Sequence, residues 1–327
     1  MPLLRKIHLG AALLALPLLL AGCGASASEQ GTFERTLTVS GPVHLGLANG
    51  AGAVEIRAGE PGKVHIHAEV QVGGFPFGDP RKRLDEILAH PPIEQSGDTI
   101  RIGKDSRTWR NITIRYVIET PLDSEVESTV GSGAQEVRNI RGPVELRTGS
   151  GEIHASHIAR EAQFTTGSGS IEASDLGDDV RALTGSGSIT LAGVKGAVRA
   201  KTGSGAITLS AAQGRAELHA ASGSITVRDA AGDLEVHTAS GSISIEGNPA
   251  PHSNWELHAV SSSVQLSVPR DASFLFSAHS LSGSIQTDIP IVVEEQSRHE
   301  LRARLGSGAA RVEVHTVSGS IRVRGQS

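Results

Sequence analysis

Thr184-Gly185-Ser186-Gly187-Ser188-Ile189 is one copy of a motif that returns along the chain at a fixed interval. With its second glycine as the marker, copies fall at Gly133, Gly151, Gly169, Gly187, Gly205, Gly223 and Gly241, each 18 residues after the last. The marker position continues as Ser262 and Gly283, at steps of 21, and as Gly319 after a further 36. A constant period of this length marks a stacked-repeat protein, in which each unit buries its apolar face only against its neighbours.

Residue types inside one unit give its local structure. After the Gly-Ser-Gly turn, Ser170-Ile171-Glu172-Ala173-Ser174 alternates polar and apolar, and a polar turn at Gly177-Asp178-Asp179 leads into Val180-Arg181-Ala182-Leu183-Thr184. An apolar period of 2 with recurrent glycine and β-branched residues predicts two short strands and two turns per unit, not a helix. A positive-φ turn is the expected reason for glycine at each corner. Three apolar columns align when units are stacked. Two residues after the marker stand Ile153, Ile171, Ile189, Ile207, Ile225, Ile243, Val264, Ile285 and Ile321. Seven before it the series runs from Val144 to Leu234 and Trp255, and five before it from Leu146 to Val236 and Leu257. The implied fold is all-β: a single-chain parallel β-solenoid (β-helix) of 18-residue coils. Parallel crossovers favour a right-handed path. Ten markers at the strand spacing make a rod of roughly 45–50 Å.

The Ser-Gly-(Ser/Ala)-Ile repeat, behind a cysteine-bearing N-terminus and a strand-rich leader, resembles the bacterial putative-adhesin family of β-strand-repeat lipoproteins, a domain of unknown function. The resemblance runs from about residue 36 to the C-terminus. It implies the solenoid fold and a binding or structural role, without naming a ligand.

Composition agrees with a thin core. The 327 residues include 39 glycines and only 3% aromatics. Residues 1–22 read as a lipoprotein signal peptide: Arg5 and Lys6 are followed by an apolar stretch from Ile7 to Leu20, too short for a comfortable membrane span. Leu20-Ala21-Gly22-Cys23 has the form of a lipobox, and Cys23, the single cysteine, is the expected lipidation site and mature N-terminus. Gly24 after it, by family resemblance, favours the outer membrane where the organism has one. Loss of residues 1–22 takes the formal charge from −5 to −7, which argues against a nucleic-acid partner. The membrane, through the lipid anchor, is the expected partner, together with an unidentified envelope protein or glycan.

Residues 23–32 are small and polar, a tether. Residues 33–122 read as a β-rich N-terminal cap, with a degenerate repeat at Asn49-Gly50-Ala51-Gly52-Ala53-Val54. One short helix is expected near 80–90, with Asp79 as its N-cap and Pro80 in its first turn. The solenoid follows over 123–327. Its C-terminal cap begins at about 286, where Pro290 marks an edge strand and Leu305-Gly306-Ser307-Gly308 reads as a hairpin turn. Capping is needed because a solenoid end is a row of unpaired strand edges.

No enzymatic motif survives inspection. The Gly-Ser-Gly turns recur in every coil, no serine differs from its copies, and His299-Glu300-Leu301-Arg302-Ala303 lacks the second histidine of a zinc-protease helix. One column stands out. Four residues before the marker are His219, His237, His258, His279 and His315, and six before it are Glu217, Glu235, Glu256 and Glu313. Inward Leu218, Val236 and Leu257 place these on the outer face. Stacking predicts a ladder of the first four histidines, joined by His315 only if the last coil stacks directly on it. Such a ladder could hold Zn²⁺ or a similar divalent metal, or make the face respond to pH. The bland alternative is a solvated strand face kept alike by repeat duplication. The reading is therefore a lipid-anchored, non-catalytic envelope protein with adhesin-like binding or a structural role. A metal- or pH-responsive function of the Glu/His ladder is the alternative.

Overall fold

The computed structural model describes residues 28–74, 78–103 and 110–326. Each 18-residue coil lays one strand into each of two facing sheets, of 14 and 15 strands. In one coil Val144–Ser150 enters the 15-stranded sheet and Ile153–Ile158 the 14-stranded sheet. Successive coils pair in parallel and in strict register, so that Ile171 faces Ile189 and Ala182 faces Ala200. The apolar columns of the sequence are the core: Ile153, Leu146, Phe164, Ile189, Leu218, Val236 and Trp255 are all fully buried. Trp255 satisfies its indole by donating from Nε1 to the Gly232 carbonyl at 3.1 Å. At the parallel strand spacing, sheets of this size make a rod of about 65 Å, longer than the markers alone imply.

The recurrent glycine has a different cause from the one expected. A Cβ on Gly151, Gly169 or Gly187 would lie 2.0, 1.9 and 2.0 Å from the marker carbonyl of the coil before it. Close approach of stacked backbones excludes any side chain, whereas φ lies in the positive region only at markers such as Gly205 and Gly241. The true left-handed corner lies six residues on, at Asn139, His157, Asp175, Gly193, Ala211 and Asp229, with φ between 53° and 65°. Asn and Asp tolerate this conformation through local hydrogen bonding, so glycine is not required there. A second device repeats with the marker. Thr166, Thr184 and Thr202 point inward and donate from Oγ1 to the marker carbonyl of the preceding coil at 3.1, 3.0 and 2.9 Å. The threonine of the Thr-Gly-Ser-Gly motif thus satisfies a buried acceptor, which otherwise costs about 1–3 kcal/mol.

Both ends depart from simple succession. The degenerate N-terminal repeat is a genuine coil: His44–Ala51 and Val54–Ala58 stack in parallel on Glu125–Ser132 and Gln135–Ile140. Beyond it, Ile112–Thr120, Lys63–Gly73 and Ser28–Thr38 close the 14-stranded sheet, the last two antiparallel. The helix Pro80–Ala89 is capped by Asp79, which accepts from the amides of Arg81 and Lys82, and buries Leu84. At the other end the final coil is intercalated. Ala310–Ser318 pairs with Asn254–Ser261 on one side and with Phe274–Ser282 on the other. The coil of Gly319 therefore sits between those of Ser262 and Gly283. The Leu305–Gly308 segment is not a hairpin turn, because the strands it joins, Glu300–Leu305 and Ala310–Ser318, flank Phe274–Ser282 on opposite edges. Ser273 pins the step, its Oγ accepting from the amides of Ser307 and Ala309 at 3.0 and 3.3 Å. Val292–Gln296 then forms the outermost, fully exposed edge.

Two substitutions test this packing. Gly187→Ala forces a Cβ onto the Gly169 carbonyl and is expected to cost roughly 1–3 kcal/mol by overpacking. Ile189→Asp buries an unpaired carboxylate and is expected to unfold or aggregate the rod. Chemical denaturation monitored by circular dichroism checks both, and wild-type midpoints would contradict the register.

Candidate functional site: the outer face of the histidine sheet

Three outward columns of the 15-stranded sheet run side by side along the rod. The strand period of 2 places residues six, four and two before the marker on the same face. Strict register makes each column a straight line.

The middle column carries the imidazoles. His219 pairs with His237, His237 with His258 and His258 with His315. Their ring centroids lie 4.7, 4.7 and 5.2 Å apart, with planes within 7° of parallel. The ladder differs from expectation in one rung. Intercalation of the last coil makes His315 the fourth histidine and moves His279 to the end, 6.3 Å from His315 and tilted by 44°. Burial, followed by the neighbouring His237 and His315, pushes the His258 imidazole below its ordinary value.

The carboxylate column does not treat its members alike. Glu217 takes Arg199 at 2.8 Å on Oε2, and on Oε1 receives Lys201 at 3.4 Å and His219 at 2.9 Å. The Arg199 hydrogen bond leads in pulling its pKa down to about 2. Glu235 binds Arg215 through Oε2 at 2.7 Å and His237 through Oε1 at 3.1 Å, and it too is lowered, chiefly by His237. Glu256 instead accepts from Asn254 Nδ2 at 2.6 Å. Ligand atoms of His219, Glu235 and His237 come within 4.8 Å of one another, the one such group of metal-ligating residues among the described residues.

The third column escaped the sequence reading. In spatial order it runs Gly185, Gly203, Ala221, Ala239, Val260, Val317, Leu281, so side-chain size rises toward the C-terminal end. The last three are exposed, at 50%, 46% and 64%. This column and the imidazole column enclose an open groove of about 1040 Å³, extending from Thr165 to His279. Eight coils at the strand spacing make it roughly 34 Å long. A signal was present: apolar size increased at a fixed phase of the repeat. Outward apolar residues on a polar face read singly as noise.

Other sequence candidates fall elsewhere. Cys23 lies outside the described residues. The marker glycines form one corner of the rod, and Asp179 ties the next, its Oδ1 accepting from the Ala197 amide at 2.8 Å. Among the described residues no helix is long and apolar enough to cross a membrane.

Residues 176–324 match the Toastrack DUF4097 family. The match covers the coils that carry the histidine ladder, and it agrees with the resemblance drawn from the repeat, to a family of unknown function. Similar solved structures include a putative cell adhesion protein from Clostridium sporogenes ATCC 15579, at 10% identity and TM-score 0.21, covering 90% of this chain and 100% of that one. A putative lipid binding protein from Parabacteroides distasonis ATCC 8503 has 12% identity and TM-score 0.34, covering 90% and 97%. A putative adhesin from Bacteroides fragilis NCTC 9343 has 12% identity and TM-score 0.26, again covering 90% and 97%. Likenesses at these scores carry no functional argument. No curated protein matches the chain.

The electrostatics of this face predict an acid limb of stability. Glu217 titrates at about 2 when folded, below its ordinary 4.5, so its contribution is complete above about pH 4.5 and is lost as pH falls toward 2. Glu217→Gln is expected to melt at lower temperature than wild type at pH 7, with the gap closing between pH 4.5 and 2. A gap that is constant with pH would remove the Arg199 pairing as its source.

Proposed function

We propose that this protein is a lipid-anchored, non-catalytic element of the bacterial cell envelope, binding in the manner of an adhesin through its histidine-bearing sheet. The groove carries the reading. It is long, open and aligned with the rod axis. One wall is apolar, built from Ala221, Ala239, Val260, Val317 and Leu281, and the other offers imidazole nitrogens and Lys201. Such walls suit a linear amphipathic ligand lying along the axis, apolar on one edge and hydrogen-bonding on the other. Bulk at Leu281 and openness at Gly185 give the ligand a preferred end.

Nothing in the face favours catalysis. The glutamates nearest the ladder are held by arginines or by Asn254, and among the described residues no hydroxyl of this face is hydrogen-bonded to one of its imidazoles. The anchor rests on the Leu20-Ala21-Gly22-Cys23 sequence; of the expected tether over 23–32, residues 28–32 are instead part of the strand Ser28–Thr38, paired with residues 69–73.

Two measurements address the two halves of the proposal. Cells fed a clickable fatty acid are expected to label the wild-type chain and not Cys23→Ser, which should leave the membrane fraction; equal labelling would refute the anchor. For the groove, immobilised dodecyl chains probe the apolar wall. Wild-type protein should be retained on them, and Val260→Asp/Leu281→Asp should lose at least about tenfold in retention, since both side chains are exposed and folding does not depend on them. Unchanged retention would exclude the groove as the binding surface.

A further inference from the structure

We infer that His219, Glu235 and His237 form a divalent-metal site selective for Zn²⁺-like ions, placed at one rung of the ladder and not spread along it. The argument starts from the backbone. Parallel pairing in register holds the two histidines one strand spacing apart, with rings stacked at 4.7 Å and only 2° from parallel. Both imidazoles are about one-third exposed, at 31% and 36%, so their tips can swing without disturbing the core. Tetrahedral zinc with ligand bonds of about 2.0–2.1 Å needs donor atoms roughly 3.3 Å apart. From the observed separation, within 4.8 Å, side-chain torsions alone can close that gap.

The carboxylates decide which rung is used. A metal at His219 and His237 needs a third ligand free on the site side. Glu217 has both oxygens engaged by cations, Oε2 by Arg199 and Oε1 by Lys201. Glu235 has Arg215 on Oε2 alone, and its Oε1 already points to His237 at 3.1 Å. The Arg215 contact fixes the carboxylate and leaves the other oxygen to coordinate, the role outer partners play at metal centres. At the next two rungs, His237 with His258 and His258 with His315, no carboxylate oxygen among the described residues comes within 4.8 Å of both imidazoles, and Glu256 gives its Oε1 to Asn254. At the last, His315 and His279 are splayed by 44° and the carboxylate column holds Ser277. Two imidazoles and one carboxylate, with a fourth position open to solvent or ligand, is a borderline-soft set suited to Zn²⁺ over Ca²⁺ or Mg²⁺. A metal on Nε2 takes the neutral His237 imidazole in its Nδ1–H tautomer, so the proton that Nε2 shares with Glu235 moves to Nδ1 and the Glu235 oxygen is left to coordinate.

The test is calorimetric titration of purified, chelator-treated full-length protein with Zn²⁺ alone, backed by the visible spectrum of the Co²⁺ form. The expected result is one equivalent bound and a tetrahedral Co²⁺ spectrum. His219→Ala and His237→Ala should each weaken binding by more than about 100-fold, and the near-isosteric Glu235→Gln by at least about tenfold. His258→Ala/His315→Ala should retain one equivalent. Circular dichroism confirms that each variant is folded. Absence of Zn²⁺ heat in the wild type, full binding by His219→Ala/His237→Ala, or equal loss in His258→Ala/His315→Ala would each overturn the assignment.

Discussion

The distance between stacked coils at the marker corner governs this molecule. There the backbone of each coil lies so close to the carbonyl before it that only hydrogen fits on the marker carbon, as at Gly187 over Gly169. Because the approach is that close, the coils cannot slip, and neighbouring threonines reach the carbonyl that would otherwise be stranded. Register then propagates outward. A column of identical residues in the sequence becomes a straight row on the surface, and chemistry that one residue could not support is multiplied along the rod.

The repeat made the fold legible because period and alternation both act locally. The three inward columns, the strand pair per coil, the N-terminal degenerate coil and the capped helix at Pro80–Ala89 follow from residue types within one or two coils. The reason for the glycines did not, since close approach is a contact between coils and leaves no trace in φ preferences. Nor did the second corner, where six residue positions adopt left-handed geometry with Asn, Asp, His, Ala or Gly.

The candidate site was half visible. The histidines announced themselves by period, and their outward direction by the apolar residues between them. Two things were not readable. The order of the last coils depends on a long-range choice, whether Ala310–Ser318 pairs inside or outside Phe274–Ser282, and sequence order suggested the wrong neighbour for His258. The inequality of Glu217, Glu235 and Glu256 depends on which cations and amides reach them across coils, through partners as far apart in sequence as Arg215 and Glu235.

The intercalated last coil also bears on how the rod is completed. The coils up to that of Ser262 can each dock as they emerge, onto the one made before, whereas the coil of Gly283 has no such neighbour until the last coil arrives. Residues 310–325 must instead enter a slot bounded by two coils already synthesised. Until they do, the coils of Ser262 and Gly283 each expose an edge two strands wide. A chain shortened by its last eighteen residues would have more than a blunt end: it would carry an internal gap one coil thick. Residues 310–325 therefore act as a keystone. Whole coils can be gained or lost from the middle of the array during evolution without disturbing the intercalated one, which is under a separate constraint.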